Sequence, residues 1–135
     1  MFSKINEMFD FHQKLLNIYS KRQEILASNI SNADTPGYKS VDINFNDEFR
    51  KIIKNDFNKE NITLRKTSPN HLNGNNKNIS SPKIISMMTD QEKPDGNTVN
   101  MDRERIEFLN NSLKYQSDLS FIKHEIKNIV RIIQG

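Results

Sequence analysis

Three histidines, His12, His71 and His124, are the side chains of this sequence best suited to ligate a metal or move a proton. They stand far apart, without ligand spacing and without a cysteine to join them, so they predict surface or helix-face positions and no metal centre. Asp102 and Glu104 have the look of a catalytic carboxylate pair. Both, however, fall in the first turn of a predicted helix, where negative charge meets the positive end of the helix dipole. No phosphate-cradling loop, nucleophile elbow or dinucleotide fingerprint is present. The sequence therefore predicts a protein that is not an enzyme, with no cofactor and no small-molecule substrate.

What remains is chemistry of recognition, and it concentrates in NISNADTPGYKS, residues 29–40. Pro36 disfavours helical geometry at Thr35 and has no N–H to give, so a helix arriving from the N-terminal side must stop at or just before Asp34. Asn32 and Asp34 can turn back on nearby backbone groups. Pro36-Gly37 suits the central pair of a type II turn, proline fixing the first dihedral and glycine supplying the positive one. Val41, Ile43 and Phe45 then alternate with Asp42 and Asn44, the pattern of a half-buried strand. Tyr38 has the parity of its polar side.

Two long elements flank this turn. From Ser3, a candidate N-cap, to about Asn32, apolar residues including Leu15, Leu16, Tyr19, Leu26 and Ile30 recur at helical steps with no proline or glycine between them. From about Met101 to Gln134 the same pattern runs through Leu109, Leu113, Ile122, Ile126, Ile129 and Ile133, with Asn100 placed to cap its start. Each helix would be roughly 45 Å long or more. The mixed three and four spacing predicts a coiled-coil-like antiparallel pair within the chain, with further helix contacts between chains. Between them lies loop chemistry, rich in Pro, Gly, Asn and Ser, with short candidate strands at Ile62–Leu64 and Lys83–Met88 and a short helix over Phe45–Phe57. The fold class is thus mainly α: two long amphipathic end helices, a short extended segment and a small irregular or β-containing middle.

Bulk properties agree with assembly. Only 34% of the 135 residues are hydrophobic and mean hydropathy is -0.78, a thin core for a chain of this size standing alone. Seventeen acids mix with 20 bases for a net charge of +3, without the one-sided basic face of a nucleic-acid binder. No apolar run reaches the roughly 20 residues of a membrane span. The N-terminal stretch MFSKINEMFDFHQK lacks the apolar core of a cleaved secretory signal.

ASNISNADTPGYKSVDINF, residues 27–45, resembles the N-terminal signature of bacterial flagellar axial proteins, the rod and hook family. DGNTVNMDRERIEFLNNSLKYQSDLSFI, residues 95–122, is similar to rod proteins of the FlgB type within it. Ser31 and Ser40 stand where small residues such as alanine are common, which leaves the turn chemistry intact. The resemblance divides the chain into an N-terminal helix of the axial core (1–34), a turn, extended segment and short helix (35–57), a variable flexible middle (58–98) and a C-terminal helix of the axial core (99–135).

It also implies a structural subunit of the proximal rod of the flagellar basal body, self-assembling into a helical tube that transmits torque and encloses the export channel. Such a subunit lies in the periplasm, exported by the flagellar type III apparatus without a cleaved signal. Its implied partners are other copies of itself, rod proteins of the FlgC type, a FliE-type adaptor, and membrane-ring and export-gate proteins, with no nucleic acid. On this reading Asn29, Asn32, Asp34, Thr35, Pro36, Gly37, Tyr38 and Lys39 form the subunit contact, while the apolar stripes pack the helices. The alternatives are a cytoplasmic coiled-coil adaptor or secretion chaperone, which would use the same stripes to hold a partner helix, and another rod protein of the FlgC type.

Overall fold

The computed structural model describes residues 2–57, 82–87 and 93–135. Helix α1 runs Phe2–Ser31, strand β1 Val41–Ile43, helix α2 Phe45–Phe57, strand β2 Ile84–Ser86 and helix α3 Met101–Gln134. α1 and α3 lie antiparallel: His12 meets Asp118 near one end and Asn29 meets Glu104 near the other. The expected pair of long end helices is present, with the small sheet beside it. Among the described residues no helix is long and apolar enough to cross a membrane.

Burial along α1 follows Met8, His12, Leu15, Tyr19, Arg22, Leu26 and Asn29, alternating steps of four and three, the spacing that keeps one seam facing a partner helix. Along α3 it follows Met101, Glu104, Phe108, Asn111, Tyr115, Asp118, Ile122, Glu125 and Ile129, again in threes and fours. Four of those α3 positions are polar or acidic. Asn111 donates through Nδ2 to the Tyr19 carbonyl at 2.9 Å and to the Gln23 side chain. The acceptors Asn111 Oδ1 and Asp118 Oδ2 are buried without a partner among the described residues, a cost that apolar residues in the same places would not incur.

Apolar burial is concentrated on α1 and the elements that cross it. Leu15, Ile18, Ile25 and Leu26 are buried, as are Ile43 and Ile52. α2 lies against α1 through aromatic rings: Phe45 stacks on Tyr19 with centroids 5.0 Å apart, and Phe49 meets Phe11 edge-on at 6.1 Å. Asn44 caps α2, its Oδ1 accepting from the Asp47 N–H at 3.3 Å. β1 and β2 pair antiparallel, Val41 opposite Ser86 and Ile43 opposite Ile84. Buried Glu48 of α2 ties the sheet down by accepting from the Lys83 N–H at 3.1 Å, and it also accepts from Lys51 Nζ of its own helix at 2.6 Å.

Several expectations are corrected. α1 begins at Phe2, so Ser3 lies within the helix. The strand stops at Ile43, and Phe45 opens α2 instead of continuing the alternation, because Asn44 caps a helix there. Asp42 is buried, since its carboxylate is the partner of Arg22. Leu109, Leu113, Ile126 and Ile133 do not pack within the chain: they are 62%, 65%, 44% and 76% exposed. The seam takes the neighbouring rows of α3, which bear the partners for α1's polar groups. Ile122 and Ile129 are half-buried in it, and on α1 Leu15 and Leu26 are buried while Leu16, Tyr19 and Ile30 are half-buried. His12 is in the seam, Nδ1 2.6 Å from Asp118 Oδ1, whereas His124 is exposed. His71 and the candidate strand Ile62–Leu64 lie outside the described residues. Residues 97–99, placed in or beside the variable middle by the sequence, are buried core.

Candidate functional site

α1 ends where its sequence must end. Beyond Ser31 the backbone turns, with the Thr35 N–H donating to the Asn32 carbonyl at 3.1 Å and the Tyr38 N–H to the Thr35 carbonyl at 3.3 Å. That second bond closes a turn whose central residues are Pro36 and Gly37, and Gly37 has φ +72°, the combination of a type II turn. The Asn32 side chain stiffens the approach, donating to the Ser28 carbonyl at 2.8 Å and accepting from the Thr35 hydroxyl at 3.2 Å.

A second stretch, residues 93–100, is docked on this turn. The Gly37 N–H donates to the Asp95 carbonyl at 2.9 Å and the Thr98 N–H to the Tyr38 carbonyl at 3.0 Å. Thr98 Oγ1 accepts from the Ser40 N–H at 2.9 Å. Fully buried Asn97 donates through Nδ2 to the carbonyls of Asn32 at 3.0 Å, Ala33 at 3.1 Å and Thr35 at 2.8 Å. Its Oδ1 accepts from the Val99 N–H at 2.7 Å. Lys93 Nζ adds a bond to the Ala33 carbonyl at 3.0 Å. The Ser28 and Ile30 carbonyls near the end of α1 accept locally from the Asn32 and Ala33 N–H groups, while the carbonyls just past the helix, at Asn32, Ala33 and Thr35, are supplied from about 60 residues away. Asn100 then caps α3, accepting from the Arg103 N–H at 3.1 Å.

Asn29 links the same turn to both strand and helix. Its Nδ2 donates to the Val41 carbonyl at 2.8 Å and to Glu104 Oε2 at 2.9 Å. Its Oδ1 accepts from the Tyr38 hydroxyl at 3.1 Å and from the Val41 N–H at 3.3 Å. The amide pairs with Val41 as a backbone peptide would, so β1 gains a partner on the side away from β2. Two turns earlier, Arg22 grips Asp42 with Nε at 2.9 Å and Nη2 at 2.7 Å, and Nη2 also reaches Glu107 at 3.0 Å. Hydrogen bonding to Asp42 pushes the guanidinium pKa up against the opposing effect of burial. Burial raises the Glu104 carboxyl above its ordinary value; the Asn29 bond and Arg103 pull it down, while Asp42 and Glu107 push it up. Burial, then the Asp118 charge, likewise raises the Tyr19 phenol.

The structure brings the predicted contact residues together at one corner and divides them by role. Asp34, Thr35, Pro36, Gly37 and Lys39 are exposed. Asn32 and Tyr38 are half-buried, spending their polar atoms on the turn itself. Asn29 is 0% exposed with all its hydrogen-bonding capacity used inside the chain, which corrects its place on the contact surface. Sequence reasoning did not single out Asn97, Arg22, Asp42 or Ser40 as parts of this corner. The available signal was the stretch DGNTVN: a polar run without helical period, directly before a capped helix, whose amide and hydroxyl groups need partners if buried.

Residues 11–39 match the family model described as flagella basal body rod protein. Over 135 residues, all of both chains, the sequence is 62% identical to the flagellar basal body rod protein FlgB of Buchnera aphidicola subsp. Acyrthosiphon pisum. It is 40% identical to the FlgB protein of Salmonella typhimurium, covering 100% of this chain and 99% of that one. With the FlgB protein of Escherichia coli the identity is 38%, again over 100% and 99%.

Proposed function

Since the chain belongs to the FlgB family of flagellar basal body rod proteins, it is a structural component of the basal body and not an enzyme, and we propose that it builds the proximal rod by stacking copies into a helical tube. The observation that carries this reading is the outer side of α3. Ile106, Leu109 and Leu113 are 58%, 62% and 65% exposed and lie on the side of the helix turned away from buried Glu104 and Asn111. Apolar area of this kind is worth roughly 25 cal/mol for each Å² removed from water, and the chain's own fold leaves it unburied. Open helical symmetry requires a head-to-tail contact between different patches. The α3 row supplies one such patch and the exposed turn at 34–37 a second, at the corner where α1 ends.

Such a tube transmits torque along its axis and encloses the channel through which later subunits leave. On this reading the subunit lies in the periplasm, travels there through the flagellar type III apparatus without a cleaved signal, and meets FlgC-type rod proteins, a FliE-type adaptor, the membrane ring and the export gate. The test is fractionation of producing cells followed by electron cryo-microscopy. The chain is expected in detergent-extracted basal bodies, with the α3 row at a contact between subunits. Recovery wholly in the soluble cytoplasmic fraction would overturn the reading.

A further inference from the structure

We infer that Asn97 is the positioning residue for the exposed turn at 34–37: the segment before α3 latches the end of α1, and the turn is presented to a neighbouring subunit only while that latch is closed. The inference rests on the rod reading above and adds to it a dependence between two distant stretches.

A helix commonly closes its own C-terminus with a glycine one residue past the end, in the left-handed conformation. Here α1 ends at Ser31 and the first residue with positive φ is Gly37, six positions on and already committed to the turn. The glycine cap is absent: the Asn32 and Ala33 N–H groups close on the Ser28 and Ile30 carbonyls, and the carbonyls that follow are satisfied from a distance. Asn97, 0% exposed, sets one amide nitrogen against the carbonyls of Asn32, Ala33 and Thr35. The same side chain accepts from the Val99 N–H, so it fixes its own segment while it holds the residues just past the helix end.

The exposed turn has little else to fix it. Asp34, Thr35, Pro36 and Gly37 are exposed, and a Cβ built at Gly37 would meet no atom within 4 Å. The corner is therefore aimed by hydrogen bonds and not by side-chain burial. Its ties to 93–98 are the Gly37 and Thr98 N–H bonds, the Lys93 bond and the Asn97 bonds, and only Asn97 spans from the helix end into the turn. Because residue 97 leads within four residues into α3, the turn is aimed correctly when α3 is seated on α1.

The test uses Asn97→Ala and Asn97→Asp in the full chain. Aspartate keeps one oxygen as the acceptor for Val99 but sets its other carboxylate oxygen against three carbonyls, so it should behave worse than alanine. Helix content by circular dichroism is expected to match the wild type, as Asn97 takes no part in the α1–α3 seam. Hydrogen exchange at the Gly37 and Thr98 amides should be at least about tenfold faster, and incorporation into basal bodies about tenfold lower for Asn97→Asp and less reduced for Asn97→Ala. Wild-type protection of those amides, or wild-type incorporation, would overturn the inference. So would loss of helix content in both variants, which would make Asn97 a general folding residue. Absence of the wild-type chain itself from basal bodies would instead sink the rod reading.

Discussion

Arg22→Met is the sharpest probe of what holds α1, β1 and α3 together. The Arg22 and Asp42 side chains are 13% and 10% exposed, and Glu107 is 35% exposed. Methionine keeps much of the volume and the unbranched stem but leaves two carboxylates beside a third, Glu104, with their main cation gone. Removing one partner of a buried ion pair costs about 3–5 kcal/mol. Water can still reach Glu107, so the low end applies, about 3 kcal/mol. For a chain of this length that lowers Tm by roughly 10–15 °C. The assay is thermal and urea unfolding followed at 222 nm. Asp42→Asn added to Arg22→Met should recover much of the loss, because asparagine keeps an oxygen for the Ile43 N–H, which Asp42 Oδ1 accepts at 2.7 Å, without the charge. A loss below about 1 kcal/mol, or a double variant no better than the single, would show that this cluster does not join the three elements.

Three further outcomes are expected. Gly37→Val has room for its Cβ but must hold φ +72°, at about 1–2 kcal/mol for an L-residue; export should continue while incorporation into basal bodies falls, and intact rods with normal motility would remove the turn from assembly. Leu109→Ser with Leu113→Ser should change the unfolding free energy of the isolated chain by less than about 0.5 kcal/mol each, as exposed positions do, yet abolish incorporation, which fractionation would read directly. Glu104 has a carboxyl raised by burial, so the stability it contributes is complete below the ordinary value of 4.5 and is lost as pH rises through the folded value; Glu104→Gln should flatten the dependence of Tm on pH in that range, and an unchanged slope would assign it to other groups.

The helices were legible because their causes are local. Uninterrupted apolar period, a proline at 36 and an asparagine at 100 determine where α1 stops and α3 starts: α1 ends at Ser31, shortly before the proline, and α3 starts at Met101, directly after its cap. The Thr35-Pro36-Gly37-Tyr38 turn was legible for the same reason: two residues with restricted or permissive φ dictate its type. What sequence period could not reveal was which row of α3 faces α1. An apolar count favours Ile106, Leu109 and Leu113. The chain instead seats Glu104, Asn111 and Asp118 inside, because Asn29, the Tyr19 carbonyl and His12 wait opposite them, and such pairings exist only once two distant segments meet. Asn97 and Arg22 escaped notice on the same ground: their partners, at residues 32–35 and at Asp42 and Glu107, are not within one helical turn of them.

The polar rungs between the long helices have a mechanical consequence. In a zipper lined only with leucine, one helix can slide past the other by seven residues and find nearly equivalent neighbours. Here each rung is chemically different: imidazole on carboxylate, amide on carbonyl, guanidinium on two acids, amide on a protonatable acid. Any slip mismatches all of them together, so the helix pair resists shear along its length. A rod component gains from this a fixed register between its two long helices.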